Sequence, residues 1–286
     1  MKEGSYDKSF YSHHMDRSYR SASLLLPVLF DYYRPKSVVD IGCGIGTWLK
    51  AFQDLGVGDF EGLDGDYVDR NLLLVEPNRI RQVDLALPFS HVRRFDLAVC
   101  LEVAEHIPSD RASGFVKDLT ALSDVILFSA ALPYQGGTGH VNENWLEYWG
   151  ILFRRTNYVA VDILRTSLWA NDRVSWWYRQ NVLIFVRENL ASSLFPTNSI
   201  ATERPLSIIQ PELFLIASVR EPPSPQLLAR SDRYYYREVV QAYCRGDTDL
   251  PAQPKLYGPE FHLSYSILTY YLSKLRRLVR KYIGDH

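Results

Sequence analysis

Short apolar runs alternate with amphipathic stretches along the first half of the chain. The apolar runs have the length of buried strands, and the stretches between them repeat apolar residues at helical spacing. Strands that alternate with helices in this way predict a parallel sheet with helices on both faces. The predicted strands are residues 37–41, 58–64, 79–84, 94–100 and 124–130, and the predicted helices lie near residues 46–55, 67–74 and 109–122.

Outside this alternating region the pattern changes. Residues 21–33 predict a helix with an apolar face that Pro27 disturbs. After the fifth strand, the glycines of residues 136–139 predict a loop, and Asn142 or Asn144 can cap a helix that runs to about residue 156. Two further strands are predicted at residues 158–166 and 178–187.

The C-terminal third has a different composition. Residues 190–230 are rich in proline and serine, and residues 232–245 and 261–283 predict helices. The chain is therefore predicted to form one domain over residues 1–190 and a helical extension over residues 191–286.

The segment VVDIGCGIGTWLK, residues 38–50, combines the end of a strand, a glycine turn and the start of a helix. Glycine allows a sharp turn and a close approach of the backbone to a ligand, and a helix start offers unpaired N–H groups. Asp64 follows Gly44 by 20 positions, at the end of the second strand. An acid at this place can accept hydrogen bonds from both ribose hydroxyls of a nucleoside. The segment therefore predicts an adenosine-containing cofactor.

NAD(P) and S-adenosylmethionine both suit this arrangement. The dinucleotide fingerprint is G-x-G-x-x-G, whereas here the third glycine comes one residue early and Thr47 stands in its place. The first strand also ends in Asp40, whose carboxylate would repel a pyrophosphate but suits the ammonium group of a methionine moiety. Both features favour S-adenosylmethionine.

With these motifs the chain resembles the class I S-adenosylmethionine-dependent methyltransferases. The resemblance covers residues 37–130 in four ordered segments, and residues 131–188 are similar to the family's last helix and terminal β-hairpin. It implies a Rossmann-like α/β fold with a seven-stranded, mostly parallel sheet and an antiparallel terminal strand. It also implies that Asp64 binds the ribose, that Asp84 and Leu85 contact the adenine, and that Cys100, Leu101 and Glu102 line the methionine portion. The predicted cofactor-binding residues are Asp40, Gly42, Cys43, Gly44, Gly46, Asp64, Gly65, Asp84, Leu85, Cys100, Leu101 and Glu102.

Two histidines are candidates for the general base that a hydroxyl acceptor would need. His140 lies in the loop after the fifth strand, at the ligand-binding edge of the sheet, and is the first candidate. The alternative is that His140 and Asn142 only fix the loop and cap the next helix. His106 follows the fourth strand in an E-x-x-E-H pattern and is the second candidate, unless it only opens the next helix. Tyr134, Asn142 and Glu143 are predicted to contact the substrate.

The loop also suggests a substrate class. Its GG-x-x-HVN-x-x-W pattern is similar to a segment of bacterial methyltransferases found with glycan or natural-product assembly. This resemblance implies O-methylation of a sugar, a nucleotide-sugar or a glycan intermediate. A natural-product scaffold methylated at oxygen, nitrogen or carbon is the alternative substrate. A protein that binds S-adenosylmethionine without catalysis, as a partner in an assembly, is the alternative from another functional class.

The composition of the chain limits the kinds of partner that it is expected to bind. The net charge of −1 gives no field that attracts nucleic acid, so no nucleic-acid partner is expected. The three cysteines are far apart and predict neither a disulfide framework nor a metal site, and no metal is expected. Residues 1–10 carry no apolar signal core, which predicts a cytoplasmic protein. The basic residues 274–282 predict an amphipathic helix that could contact an anionic membrane surface. The preferred interpretation is a helix that docks on the rest of the chain or on a second copy of it, with its charges in solvent.

Overall fold

The computed structural model describes residues 8–201, 207–211 and 213. The chain divides into two compact units, residues 1–210 and 211–286, and nearly all described residues belong to the first unit. The domain boundary predicted after residue 190 stays a prediction. The helices predicted at residues 232–245 and 261–283, with the basic segment that could contact a membrane or a second copy, lie outside the described residues.

The described part of the first unit contains helices, strands and four single 3₁₀ turns. The α-helices are α1 Lys8–Phe30, α2 Thr47–Asp54, α3 Ala112–Leu122, α4 Leu146–Arg154, α5 Leu164–Leu168, α6 Trp176–Asn181 and α7 Glu188–Leu194. The strands are β1 Ser37–Ile41, β2 Asp59–Asp64, β3 Ile80–Gln82, β4 Leu97–Leu101, β5 Val125–Ser129, β6 Tyr158–Val161, β7 Leu183–Arg187 and β8 Ile200–Ala201. The 3₁₀ turns are Arg70–Leu72, Pro77–Arg79, Ala104–His106 and Thr197–Ser199.

The strands form one sheet in the order β3-β2-β1-β4-β5-β7-β6-β8. Strands β1 to β5 run parallel, and β7 is antiparallel to both β5 and β6. The predicted Rossmann-like sheet with an antiparallel terminal strand is therefore confirmed. The two-residue strand β8, which the sequence pattern did not indicate, extends the sheet beyond β6.

The central strands are buried on both faces, as expected for a parallel sheet covered by helices. Every residue of β4 and β5 is buried. Helix α1 packs against α2 and α5, and its apolar face places Leu25, Leu26 and Leu29 in the core. The carboxyl ends of β1, β2 and β4 meet at one edge, where ligands bind in open α/β sheets.

Two predicted elements are wrong. The helix predicted at residues 67–74 is replaced by a single 3₁₀ turn at Arg70–Leu72, which begins where the Asp69 side chain accepts a hydrogen bond from the N–H of Asn71. The predicted terminal hairpin is not a hairpin, because α5 and α6 separate β6 from β7.

The buried side chain of Arg165 explains why the chain turns helical between β6 and β7. Its guanidinium pairs with Asp162 and donates to the carbonyl oxygen of Gln180, at 3.3 Å. This network links the start of α5 to the end of α6, and the strands are correspondingly shorter than predicted.

Helix α4 also begins differently from the prediction. Neither Asn142 nor Asn144 caps it: the first residue is Leu146, whose N–H donates to the hydroxyl oxygen of Ser207 at 3.2 Å. No helix among the described residues is long and apolar enough to cross a membrane.

Candidate active site

The glycine turn after β1 has the backbone shape that the sequence predicts. Gly42, Gly44 and Gly46 all have positive φ angles, of 76°, 54° and 83°. A side chain on Gly42 would collide with Val103, since an added Cβ would lie 2.4 Å from its Cγ2. An added Cβ on Gly44 would meet nothing within 4 Å. Gly44 thus presents an open surface on which a ligand can lie against bare backbone.

Asp64 is buried at the carboxyl end of β2 and holds this turn in place. Its carboxylate accepts hydrogen bonds from the N–H of Gly44 at 2.5 Å, from the N–H of Gly65 at 2.7 Å and from the hydroxyl of Tyr67 at 2.5 Å. Tyr67 itself is 55% exposed. Its hydroxyl occupies a position from which a ribose hydroxyl could donate to Asp64. Sequence reasoning found Asp64 but missed Tyr67.

Asp40 is buried at the end of β1, and its carboxylate group lacks part of its hydrogen bonds. One carboxylate oxygen, Oδ2, has no hydrogen-bond partner among the described residues. Burial, and then the nearby charge of Asp64, raises the pKa of Asp40 to about 8. A cation at this place would compensate the buried oxygen, so the residues present fit the ammonium group of a methionine moiety.

The two residues predicted to contact adenine follow β3, directly after Val83, whose N–H donates to the carbonyl oxygen of Asp64 at 2.8 Å. Asp84 follows β3 and accepts a hydrogen bond from the N–H of Ala86 at 3.0 Å, while its side chain stays exposed. Leu85 is buried beside it. An exposed acceptor next to an apolar side chain suits a ring with an amino group.

Glu102 is held in a strained conformation at the end of β4. Its φ angle is 56°, a value that few residues other than glycine adopt and that is most often found at functional sites. Its carboxylate accepts hydrogen bonds from Gln135 Nε2 at 2.7 Å and from Asn181 Nδ2 at 3.2 Å. Burial raises the pKa of the Glu102 carboxyl, which these bonds partly oppose. Sequence reasoning missed Gln135 and Asn181.

Cys43, Cys100 and Leu101 are all buried between these polar groups. Burial raises the pKa of both thiols well above their ordinary value, so the cysteines stay neutral and serve as small packing residues.

The loop after β5 is organised by Glu143. Its carboxylate accepts hydrogen bonds from the N–H of Tyr134 at 2.9 Å, from the N–H of Gly136 at 2.7 Å and from Nδ1 of His140 at 2.8 Å. These bonds fix the loop and orient the imidazole of His140. The Tyr134 ring is 59% exposed and remains available to a substrate.

Asn142 is only 4% exposed. Its side-chain oxygen accepts from Asn144 at 2.7 Å, and its backbone N–H donates to the carbonyl oxygen of Glu105 at 2.9 Å. These bonds favour a structural role for Asn142, and the substrate contacts assigned to Asn142, Glu143 and Tyr134 stay predictions.

The two candidate bases lie side by side. The ring of His106 is nearly perpendicular to that of His140, with 4.8 Å between their centroids. His106 Nδ1 lies 3.2 Å from the carbonyl oxygen of Gly139. Partial burial, and then the neighbouring His140, lowers the pKa of His106 and favours its neutral form. Glu105, which the sequence did not single out, places its buried carboxylate 3.9 Å from His140 Nε2.

A family model described as a methyltransferase domain matches residues 11–158, just over half of the 286-residue chain. The chain belongs to this methyltransferase family. The match spans most of α1, the glycine turn and all of β1 to β5, so it covers every predicted cofactor contact. The strand order agrees with the class I fold that the sequence predicts, and S-adenosylmethionine is the methyl donor expected from the glycine turn and its acidic neighbours. Comparison with curated protein sequences finds no significant match.

Several solved methyltransferases are similar in structure. Magnesium protoporphyrin IX methyltransferase from Synechocystis PCC 6803, with bound S-adenosylmethionine, is 17% identical over 65% of this chain and 86% of its own, with a TM-score of 0.45. An amino pentose methyltransferase from Micromonospora echinaspora, involved in calicheamicin biosynthesis, is 15% identical over 65% of this chain and 100% of its own, with a TM-score of 0.45. An O-methyltransferase family protein from Burkholderia thailandensis is 14% identical over 64% of this chain and 60% of its own, with a TM-score of 0.44. No conclusion about the substrate of this methyltransferase rests on them.

We expect the affinity of the methyltransferase for its cofactor to depend on pH through Asp40. With a pKa of about 8, Asp40 is mainly protonated at pH 7 in the ligand-free protein. A cationic amino group beside it favours the ionised form, so we expect binding to release up to about one proton at pH 7 and affinity to rise by up to about tenfold per pH unit below pH 8. Calorimetric titration in two buffers of different ionisation enthalpy measures this release.

The matched control is Asp40→Asn, which should bind more weakly and release no proton through this group. Binding without proton exchange in the unaltered protein would contradict the placement of Asp40 at the cofactor's amino group. The raised pKa of Asp40 also makes the stability of the folded protein depend on pH. Because the folded state holds the proton between the ordinary aspartate pKa of 3.8 and about 8, this contribution to the stability of the ligand-free protein is fully present below pH 3.8 and is lost as the pH rises through about 8.

Proposed function

We propose that this methyltransferase methylates a hydroxyl oxygen of a small molecule, and that the acceptor is a sugar, a nucleotide-sugar or a glycan intermediate. The observation that carries the proposal is the setting of His140. Its Nδ1 is held by the carboxylate of Glu143 at 2.8 Å, and its side chain keeps 13% of its surface exposed. An imidazole oriented in this way, at the ligand-binding edge of the sheet, supports proton removal from an acceptor.

The cofactor and the protein have separate tasks in this reaction. When bound, S-adenosylmethionine supplies an electrophilic methyl group. The glycine turn, Asp64 and Asp40 would hold it, and Glu102 would line its methionine portion. The protein must then place the acceptor oxygen in line and remove its proton as the new bond forms.

His140 is arranged to remove that proton. If its Nδ1 carries the hydrogen donated to Glu143, its Nε2 has a free lone pair and can accept the proton of a hydroxyl group. Glu143 then stabilises the imidazolium that forms. Nitrogen and carbon acceptors have less need of such a base, so this arrangement favours oxygen.

Exposed aromatic rings beside polar groups support a sugar as the acceptor. Tyr134 and Trp145 flank the His140 loop with 59% and 44% of their surfaces exposed. Sugar rings present C–H faces that pack on aromatic rings, and hydroxyls that need hydrogen-bonding partners. The same two rings could stack on a planar natural-product scaffold, which keeps that substrate as the alternative.

The test is turnover of isotope-labelled S-adenosylmethionine with separate pools of nucleotide-sugars and of phenolic scaffolds. We expect S-adenosylhomocysteine and an O-methylated sugar, identified by mass and by the position of the methyl group. Methylation of phenolic scaffolds alone would favour the alternative substrate, and methylation at nitrogen or carbon would contradict the hydroxyl acceptor. Cofactor binding without turnover on any pool would favour a non-catalytic binding protein.

A further inference from the structure

Three side chains that can bind a metal ion meet beside the glycine turn. Glu105, His106 and His140 each offer a ligand atom, and these atoms lie within 4.8 Å of one another. Glu105 and His106 belong to the 3₁₀ turn after β4, and His140 comes from the loop after β5. The two backbone segments are fixed to each other because the N–H groups of Val141 and Asn142 both donate to the carbonyl oxygen of Glu105, at 2.9 Å.

The carboxyl group of Glu105 is buried with little compensation. Its side chain is 1% exposed, and neither of its oxygens has a partner at full hydrogen-bond geometry among the described residues. Burial, and then the nearby Glu102, raises its pKa well above the ordinary value, which the backbone groups of Glu105 and Ala131 only partly oppose. The nearest group that could carry positive charge is the imidazole of His140, 3.9 Å away. A buried carboxyl group without hydrogen bonds is costly unless a cation or a metal ion accompanies it.

Both histidines are oriented as metal ligands are. A ligating histidine usually donates its second ring N–H to a carboxylate or a backbone carbonyl, which fixes the tautomer and frees the other nitrogen. Here His140 Nδ1 lies 2.8 Å from a Glu143 oxygen, and His106 Nδ1 lies 3.2 Å from the carbonyl oxygen of Gly139. If each Nδ1 is the donor, both Nε2 atoms have a free lone pair.

We propose that Glu105, His106 and His140 bind a divalent first-row transition metal ion, with Zn²⁺ as the best match. Two imidazoles and one carboxylate form the His₂Glu ligand set of catalytic zinc sites, which leave a further position open. Glu102 does not belong to the ligand set, because Gln135 and Asn181 already occupy its oxygens. The proposal rests on the proposed function and reverses the expectation from sequence that no metal is bound.

The three side chains need to move only a little to surround a metal ion. Ligand atoms around zinc lie about 3–4 Å apart, since each is about 2 Å from the metal. The present separation of up to 4.8 Å therefore requires the three side chains to approach one another. His106 is held by the longer contact, 3.2 Å to the carbonyl oxygen of Gly139, and His140 by the shorter one, 2.8 Å to Glu143, so we expect His106 to make most of this movement.

The location gives the ion a role in methyl transfer. Val103, two residues before Glu105, packs against Gly42 of the cofactor turn. An acceptor hydroxyl bound at the open metal position would lose its proton to solvent. The resulting oxygen would form a bond to the methyl carbon as the bond from that carbon to the cofactor's sulfur breaks, and S-adenosylhomocysteine would leave with the electron pair on sulfur. With the ion bound, His140 acts as its ligand and the metal replaces it as the activating group.

Direct binding tests the site independently of activity. After treatment with a chelator, the full chain is titrated with Zn²⁺ by calorimetry and with Co²⁺ by visible absorption. We expect one ion per chain and, for Co²⁺, d–d bands of a four- or five-coordinate site. Glu105→Gln and His106→Ala should each weaken Zn²⁺ binding by at least about tenfold, because loss of a group that only supports a ligand already costs about 10- to 100-fold.

The matched control is the other histidine–carboxylate pair of the described residues, in which His91 Nε2 lies 3.0 Å from a Glu61 oxygen. His91→Gln should bind Zn²⁺ as the unaltered chain does. Absence of Zn²⁺ and Co²⁺ binding at millimolar concentrations would overturn the proposal, as would binding that Glu105→Gln and His106→Ala leave unaltered.

Measurements on the metal-free chain distinguish the proposed metal site from the proposed function. The metal-free chain should still bind S-adenosylmethionine, and its turnover of an accepted substrate should fall and return when Zn²⁺ is added. Full turnover without metal would overturn the role of the ion and leave His140 as the base. Zn²⁺ binding as predicted, together with no O-methylated product from any acceptor pool, would instead count against the proposed function alone.

Discussion

Replacement of His140 by alanine should lower turnover by roughly 10²–10⁴-fold while the affinity for S-adenosylmethionine stays the same. The imidazole contacts Glu143 and His106, which belong to the loop after β5 and the turn after β4, and neither is a predicted cofactor-binding residue. Its loss removes the group that takes the hydroxyl proton or, with an ion bound, one of three metal ligands. Single-turnover rates and calorimetric affinities, measured on the same preparations, check both parts of this expectation.

A neighbouring variant provides the control. Val141 lies next to His140 in the same loop and is 65% exposed, so Val141→Ala should leave turnover close to that of the unaltered protein. Added imidazole should partly restore His140→Ala if the missing group acts as a base, and a higher Zn²⁺ concentration should restore it if the missing group is a metal ligand. An unaltered rate in His140→Ala would reduce the residue to a structural part of the loop.

Replacement of Asp64 by alanine should weaken the binding of S-adenosylmethionine by about 1–3 kcal/mol, because the hydrogen bonds to the ribose hydroxyls are lost. This corresponds to roughly 5- to 150-fold in the dissociation constant, since about 1.4 kcal/mol is a factor of ten. Calorimetric titration with S-adenosylmethionine and S-adenosylhomocysteine should show the same loss for both, since they share the ribose.

Asp64 also supports the glycine turn, so its replacement must be separated from a loss of folding. The carboxylate accepts from the N–H groups of Gly44 and Gly65, and thermal unfolding of Asp64→Ala reports how much stability depends on these bonds. Asp66 is an exposed acid two residues later, and Asp66→Ala should leave cofactor affinity unchanged.

Tyr67→Phe isolates the ribose contact itself. It removes the hydroxyl that now occupies Asp64 and leaves both backbone bonds in place, so the affinity should be equal or slightly higher. If Asp64→Ala folds and binds the cofactor as tightly as the unaltered protein, the ribose does not bind at the end of β2.

The sequence by itself determined the parallel sheet and the cofactor side of the site. The apolar runs of β1, β2, β4 and β5 fix which segments are buried, and the side chains at their carboxyl ends then meet at one edge by topology alone. The positive φ angles of Gly42, Gly44 and Gly46 follow from a local requirement that glycine meets most easily. Local periodicity and backbone preference act over a few residues and can be recognised in a single segment.

Only the tertiary structure decided which polar groups lie together on the acceptor side. Glu102 is held by Gln135 and Asn181, which lie 33 and 79 positions further along the chain. Glu105 and His106 meet His140 because β4 and β5 are neighbours in the sheet and the loop after β5 folds back over the turn after β4. The helices α5 and α6 depend in the same way on the buried guanidinium of Arg165. These contacts arise between segments far apart in sequence, and they are decided by burial and hydrogen bonding that no local pattern contains.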